Sequence, residues 1–394
     1  MYDAIIVGAR CAGSATALLL ARKGYRVLAV DRKTFPSDTM STHYIHTEGL
    51  ARLRAWGLLE DLIATGCPPI SEIESSIEGN GFVSTIPSYD GLSVGYCPRR
   101  TVLDQLMVDA ARAAGADIRE GVVVDELLRD VTGVVTGVRA RTDDVLFDES
   151  GRIVIGADGR RSRVAQLVES EQYDERPGTA FWYYNYFPDL DVVPAMLAFS
   201  NQIGAFLNPT HDGAHVVGVG SRVEHFADFK TDIPGNFLRY WRLVSPEIAD
   251  HLAAAQPIER WVGTADVPGF HRVPFGAGWA LVGDAGLHKD PITGSGITEA
   301  WLQAEWLADA IDDGFSGRRS LSNALADYQQ RRDDHSRDWY EWTHATARLD
   351  PIPEQIASIF ASLNEDRVAA DRFAMLNAGL ISMRDFYAPF FASA

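Results

Sequence analysis

The sequence predicts an α/β fold (α+β overall). A layer of strands and helices is interrupted by a β-rich block and closed by a helical C-terminal region. Three observations predict it. The first 31 residues read as strand, glycine turn, helix, strand and acid. From about 178 to 275, aromatic and β-branched residues and turns replace that alternation, with one amphipathic helix near 234–254. From 296 onward the chain is mostly helical, with breaks at Gly314, Pro351-Ile352-Pro353 and Pro389.

Ile5-Ile6-Val7 is the first apolar run, followed by Gly8-Ala9-Arg10-Cys11-Ala12-Gly13. Ser14 to Lys23 reads as a helix, Tyr25 to Val30 as a second strand, and Asp31 closes the unit. This is a Rossmann-like βαβ unit of the kind that holds the ADP half of a dinucleotide. Gly8 permits the tight turn, and Gly13 lets the helix pack close to the strand. The helix N-terminus offers N–H groups and a positive dipole end to a pyrophosphate. Asp31 stands where a carboxylate accepts from ribose hydroxyls. The usual middle glycine is replaced by Arg10. A phosphate loop of the Walker type is excluded, because Ser14-Ala15 replaces its Lys-Ser/Thr pair.

Further along, residues 47–64 read as one helix and 71–96 as short strands broken by glycines and Pro87. Val102 to Ala114 is helical, and 121–128 and 133–141 alternate as strands do. Asp148-Glu149-Ser150-Gly151 reads as a turn before a buried strand from Arg152 to Ile155.

The 394 residues suffice for one large core or two lobes. A net charge of −18 argues against nucleic acid and anionic membranes as partners. No apolar run reaches membrane-spanning length. Cys11, Cys67 and Cys97 form no C-x-x-C pair, so neither a metal site nor a disulfide framework is expected and a reducing cytoplasm fits. The first strand begins at once, so no signal peptide is expected. The expected state is a monomer or homodimer acting on a small molecule.

Two later motifs carry cofactor chemistry. Gly156-Ala157-Asp158-Gly159 follows the 152–155 strand and, alone, fits a simple Asp-Gly turn. Ala280-Leu281-Val282-Gly283-Asp284-Ala285 is an apolar strand ending in Gly-Asp, and it runs through His288-Lys289-Asp290-Pro291 to Thr293-Gly294-Ser295-Gly296-Ile297. Asp284 suits a ribityl or ribose hydroxyl. Gly294 and Gly296 let backbone approach a planar ring, and the following helix N-terminus offers positive potential to a ring that becomes electron-rich on reduction.

With these motifs in order, the chain resembles the FAD-dependent monooxygenases of the para-hydroxybenzoate hydroxylase fold, a superfamily that also holds geranylgeranyl reductases and flavin-dependent halogenases. The matching elements are the loop from Gly8, Arg100-Thr101-Val102-Leu103-Asp104, and the segments 156–163 and 283–297. The resemblance implies a Rossmann-like FAD-binding domain from residues 1–70, 98–170 and 276–394, including C-terminal helices. Residues 71–97 and 171–275 would form an inserted substrate-binding β-sheet domain. It implies non-covalent FAD, with NADH or NADPH as electron donor. Gly8, Ala9, Gly13, Ser14, Asp31 and Arg32 would hold the ADP portion, with Arg100 on the phosphates or ribose. Asp158 would belong to the shared flavin and pyridine-nucleotide segment. Gly283 and Asp284 would hold the ribityl chain, and Pro291, Gly294, Ser295, Gly296 and Ile297 would face the isoalloxazine. Where the hydroxylases often carry an arginine after the second strand, this chain has Ser41-Thr42-His43-Tyr44. Thr42 or His43 is expected in its place.

Hydroxylation, halogenation and double-bond reduction are all compatible with this resemblance. The resembled halogenases use a lysine to carry halogen, and this chain has none between Lys33 and Lys230. It also lacks the W-x-W-x-I-P segment. Nothing matches isoprenoid-tail binding. The segment Phe181–Phe187 places Phe181, Tyr183, Asn185 and Phe187 on one strand face and Trp182, Tyr184 and Tyr186 on the other. Either face suits sheet core or an aromatic pocket wall, so Trp182, Tyr183, Tyr184 and Asn185 are substrate candidates. A base that deprotonates a phenol would aid hydroxylation, and His43, His46 and His288 are the candidates. No G-x-S-x-G elbow is present, which argues against a hydrolase. The expectation is a monooxygenase hydroxylating or epoxidising an aromatic or polycyclic molecule, a step in secondary metabolism by family analogy, with a double-bond reductase as the alternative and, behind it, a flavin-dependent halogenase or an inactive flavin-binding protein.

Overall fold

In a computed structural model, residues 1–391 are described except 144, 189 and 191–194. The strand Tyr2–Val7 is central, and its Ala4, Ile5 and Ile6 are buried on both faces as a parallel strand requires. It pairs in parallel with Val27–Asp31 and with the C-terminal half of Val145–Gly156. Asp117–Glu120 extends one edge, and Trp279–Leu281 with Phe275–Gly276 extends the other. Alternation along these strands builds two cores. Ala4, Ile6, Ile153 and Ala280 face the helices Cys11–Arg22, Arg100–Ala113 and Gly296–Phe315. Ile5, Val30, Val154 and Leu281 face the antiparallel strands Val122–Arg129 and Val135–Thr142.

A second sheet of seven strands draws on residues 72–85 and 180–264, with Ala180–Pro188 one strand in from the edge strand Val262–Thr264. One of its faces packs on the helices Ile233–Val244 and Pro246–Ala254. The helices Glu354–Ser362, Arg367–Asn377 and Met383–Phe391 pack on Ile77 and Phe82 of the same sheet. A three-stranded sheet of Gln172–Arg176, Gly269–Arg272 and Leu287–His288 lies beside the long helix Leu321–Ala347. Arg332 of that helix has no exposed side-chain surface and donates to the carbonyls of Gly286 and Arg272 and to Tyr173. No described helix is long and apolar enough to cross a membrane.

Several expected boundaries move. The 47–64 helix is two, Thr47–Ala55 and Leu59–Ala64, because Gly57 turns into the left-handed region at φ 71°. The 234–254 helix breaks at Ser245, which caps the helix that Pro246 begins. Asp148 to Gly151 is not a turn but part of the strand Val145–Gly156. Its N-terminal half pairs antiparallel with Val135–Thr142 through Ser150 opposite Gly137, before the strand turns inward beside Tyr2–Val7. Gly314 and Pro389 lie inside helices rather than at breaks.

Candidate active site

The glycine turn is held by backbone contact. A Cβ at Gly13 would lie 1.8 Å from the Gly8 carbonyl oxygen, and one at Gly8 would lie 2.4 Å from that of Ala157. Gly8 has φ 97°. The following helix has no side-chain cap at Arg10, so its first N–H groups point into the turn without a side-chain acceptor. Asp31 is buried and accepts from the N–H of Ala9 and of Lys33, both at 2.8 Å. The carboxylate thus also secures the turn. Ser14 Oγ donates to the Arg10 carbonyl at 2.9 Å, one helical turn back. Arg32 is exposed and makes no side-chain hydrogen bond or ion pair among the described residues.

Arg10, in place of the middle glycine, is a clamp. It pairs with Asp104 at 2.5 Å and donates to Ser37 and the Asp38 carbonyl. Asp104 is fully buried and also accepts from Nε and Nη2 of Arg100. Arg100 was expected on the cofactor phosphates. It is committed to Asp104 through two nitrogens, which leaves only Nη1 for a ligand. The four-residue spacing of Arg100 and Asp104 on one helix is the sequence signal for this pair.

Asp158 serves its own loop. It accepts from Ser162 Oγ at 2.5 Å and from the N–H of Arg163 at 2.6 Å, fastening the short helix Arg163–Leu167. Burial raises its carboxyl above the ordinary range.

Asp284 is different. It is exposed within an otherwise buried run from Trp279 to Asp290, and no described residue pairs with its carboxylate. Gly283 lies against the first helix, where its Cβ would meet Ala12 at 2.8 Å. The loop after it turns at Gly294, φ 63°, and enters Gly296–Phe315 without a side-chain cap. A Cβ at Gly296 would meet nothing within 4 Å. Thr42 Oγ1 stands 3.8 Å from the Cβ position of Gly294, so the 41–44 segment does border this loop. Beneath the loop, Lys289 and Glu299 form a buried pair at 2.7 Å, and Ser295 donates to the same carboxylate. Burial lowers the Lys289 ammonium from its usual range, against the opposing charge of Glu299.

The three candidate histidines do not converge. His43 has φ 62° and places Nε2 2.8 Å from the Tyr186 hydroxyl. Burial, with Arg100 and Arg99 nearby, pushes it well below the usual imidazole range. His46 places Nε2 3.0 Å from the Thr293 carbonyl oxygen and lies edge-on to Trp339, so it supports the loop instead of facing His43. His288 sets Nδ1 2.5 Å from the Pro268 carbonyl oxygen and stacks on Phe270.

The Ala180–Pro188 strand decides its two faces by what covers them. Tyr183 stacks on Phe229 at 5.2 Å in the helix-covered core, away from the 41–44 segment. Asn185 donates to the Glu259 carbonyl and accepts from the N–H of Glu259 and Tyr186, which uses its amide for chain architecture. Both are corrected as substrate candidates. Trp182, Tyr184 and Tyr186 face the 39–46 and 290–293 segments: Trp182 Nε1 donates to Asp290 Oδ1 at 3.0 Å, and Tyr184 and Tyr186 pack around His43. Sequence reasoning missed Tyr186 and Asp290. The acid before Pro291 was the available signal for Asp290, as a cap on a turn.

These parts fit FAD. There is a cradle too narrow for side chains, an unpaired carboxylate at a strand end, and two uncapped helix starts facing glycine turns. Comparison with known proteins agrees. A digeranylgeranylglycerophospholipid reductase of Methanothrix thermoacetophila is 28% identical over 341 residues, 81% of this chain and 81% of that protein. The solved flavin-dependent brominase Bmp2 superposes with a TM-score of 0.82 at 17% identity, covering 100% of this chain and 98% of the other. PqsL of Pseudomonas aeruginosa, described as a probable FAD-dependent monooxygenase, superposes with a TM-score of 0.73 at 22% identity, over 95% and 99% of the two chains. The model of the FAD binding domain family matches residues 1–343, and the chain belongs to that family of flavoprotein oxidoreductases.

Proposed function

We propose that the protein is an FAD-dependent monooxygenase that hydroxylates or epoxidises an aromatic or polycyclic small molecule. The observation that carries this reading is the aromatic face of Trp182, Tyr184 and Tyr186, gathered with His43 beside the 290–297 loop. Flat rings suit such a wall, because stacking and edge contacts orient a planar substrate without charged partners.

Gly8, Gly13 and the start of Cys11–Arg22 would take the pyrophosphate, Asp31 a ribose, Asp284 the ribityl hydroxyls, and the 294–297 backbone the isoalloxazine. When bound non-covalently, FAD supplies the redox chemistry, taking two electrons from NADH or NADPH and activating dioxygen. The chain positions the substrate and excludes water. Tyr186 touches the substrate; its hydroxyl is oriented by the contact with His43 Nε2, which burial keeps uncharged. His43 is wholly buried and acts through Tyr186 as a positioning residue. Trp182, Tyr184 and Tyr186 are each at most 5% exposed, so admission of substrate requires the 39–44 segment to give way.

Reduction of a carbon–carbon double bond is the second reading, favoured by the 28% identity to a geranylgeranyl-lipid reductase. Halogen transfer is disfavoured, since no lysine lies between Lys33 and Lys230. Turnover with a panel of phenols and polyketides under labelled dioxygen separates the three. Incorporation of one labelled oxygen atom into product, with substrate-stimulated NAD(P)H oxidation, is expected. Anaerobic loss of a double bond would replace this reading with the reductase, and a halide-dependent halogenated product with the halogenase.

A further inference from the structure

Asp290 joins the aromatic wall to the glycine loop, and half of its carboxyl group is unaccounted for. Oδ1 accepts from Trp182 Nε1 and from the N–H of Ile292, each at 3.0 Å. Oδ2 is buried and accepts from no group. A dry, unpaired anionic oxygen is among the costliest groups to bury, whereas a neutral carboxyl carrying its proton on Oδ2 avoids most of that cost. Asp290 also lines a small cavity of about 10 Å³ for a water's centre, room for one molecule.

The other polar walls of this cavity are Thr179, Lys289, Tyr340, Thr343 and His344. Thr179 and Thr343 donate their hydroxyl protons to the carbonyls of Ala347 and Trp339, and Thr343 Oγ1 also meets Thr293 Oγ1 at 2.9 Å. Lys289 is held by Glu299, and Tyr340 donates to the Asp174 carbonyl. His344 is half-buried and makes no hydrogen bond among the described residues. It is the wall residue that both reaches solvent and carries an imidazole, which burial, with Arg176 nearby, lowers from its usual range.

We propose that Asp290 is a proton carrier: its carboxyl gives the Oδ2 proton to one water held in this cavity, and that water passes a proton to the His344 imidazole and so to solvent. The reverse path recharges it. No bond other than these O–H and N–H bonds forms or breaks. The use of the path rests on the FAD reading above, because flavin reduction and reoxidation take up and release protons beside this loop. The charged and titratable groups facing Asp290 are the Lys289–Glu299 pair on one side and Tyr340 and His344 on the long helix; Trp182 faces it from the sheet. Burial raises the Asp290 carboxyl to about 7, against the lowering by the Ile292 N–H and the Trp182 indole.

Infrared spectroscopy of the purified holoprotein at about pH 6 tests this, since a carboxyl neutral there absorbs apart from carboxylates. The wild type is expected to show a protonated-carboxyl stretch that Asp290→Asn lacks and that shifts on transfer to heavy water. His344→Phe should retain the band but slow its isotope shift at least tenfold. Trp182→Phe removes a donor to Oδ1 and should move the band's titration midpoint upward, a readout that holds if Asp290→Asn does not fold. Superimposable wild-type and Asp290→Asn spectra, an unslowed shift in His344→Phe, or an unmoved midpoint in Trp182→Phe would each overturn the proposal. Absorbance of the same samples reports FAD, so a colourless protein that shows the band refutes the flavin reading and leaves the proton site standing.

Discussion

The turns at Gly8–Gly13 and Pro291–Gly296 both lead into helices without a side-chain cap, yet they are built from opposite materials. The first is closed by its own backbone, with 1.8 Å between the Gly8 carbonyl oxygen and the position a Gly13 Cβ would occupy. The second is open at Gly296 and rests on distant side chains: His46 under the Thr293 carbonyl, Thr343 on the Thr293 hydroxyl, and Trp182 on Asp290. A turn made of local backbone is rigid and intolerant of any side chain. A turn propped from outside tolerates local change but depends on its props.

Gly13→Ala should break the first turn most severely. The added methyl meets backbone that cannot move without dislodging the helix, at a cost of about 3 kcal/mol or more. Loss of soluble, FAD-containing protein, or a large drop in unfolding midpoint, is the expected result; wild-type stability would show that the turn is not closed as described.

The second turn should fail from its props. Burial lowers His46 to about 4, with the Thr293 carbonyl opposing and Lys289 adding to the drop. The folded protein therefore binds this proton less readily than the unfolded chain does. That stability is present above the unfolded value near 6.5 and is lost as pH falls toward 4, on the order of 3 kcal/mol in all. Denaturant titrations at a series of pH values should show His46→Gln, which keeps a donor for Thr293, losing less than wild type over that window. Parallel pH dependences would remove His46 as the acid-sensitive prop.

Asp284→Ala should leave the fold intact, since the carboxylate has no partner to lose, while weakening FAD about tenfold to a hundredfold through lost charge-assisted bonds. Equal FAD affinity by fluorescence titration would count against Asp284 as a cofactor ligand. Gly296→Ala sharpens the contrast from the mild side. With open space around it at a helix start, the methyl should change stability by under about 1 kcal/mol, in the stabilising direction. A shift in bound-flavin absorbance in that variant would place the loop against the ring; an unaltered spectrum would place it elsewhere.

The first turn was legible in the sequence for the same reason that it is rigid. Strand, glycines, helix and acid are local signals, and Gly8, Gly13 and Asp31 lie within one βαβ unit. The apolar strand ending in Gly283-Asp284 was legible likewise, from a single run of residues. The two corrected substrate candidates show where local signals stop. Alternation placed Tyr183 and Asn185 opposite Trp182 and Tyr184, but period two does not say which face meets helices.

Sequence alone thus determined the nucleotide cradle, the order of strands and helices around it, and the family resemblance, because each depends on backbone conformation and nearest neighbours. Tertiary structure alone decided which aromatic face meets the 290–297 loop, that the three histidines separate, that Arg10 and Arg100 share Asp104, and that Asp290 keeps one buried oxygen without a partner among the described residues. Those outcomes depend on which residues, often a hundred or more apart in the chain, pack over each side chain, and burial and pairing are properties of that packing.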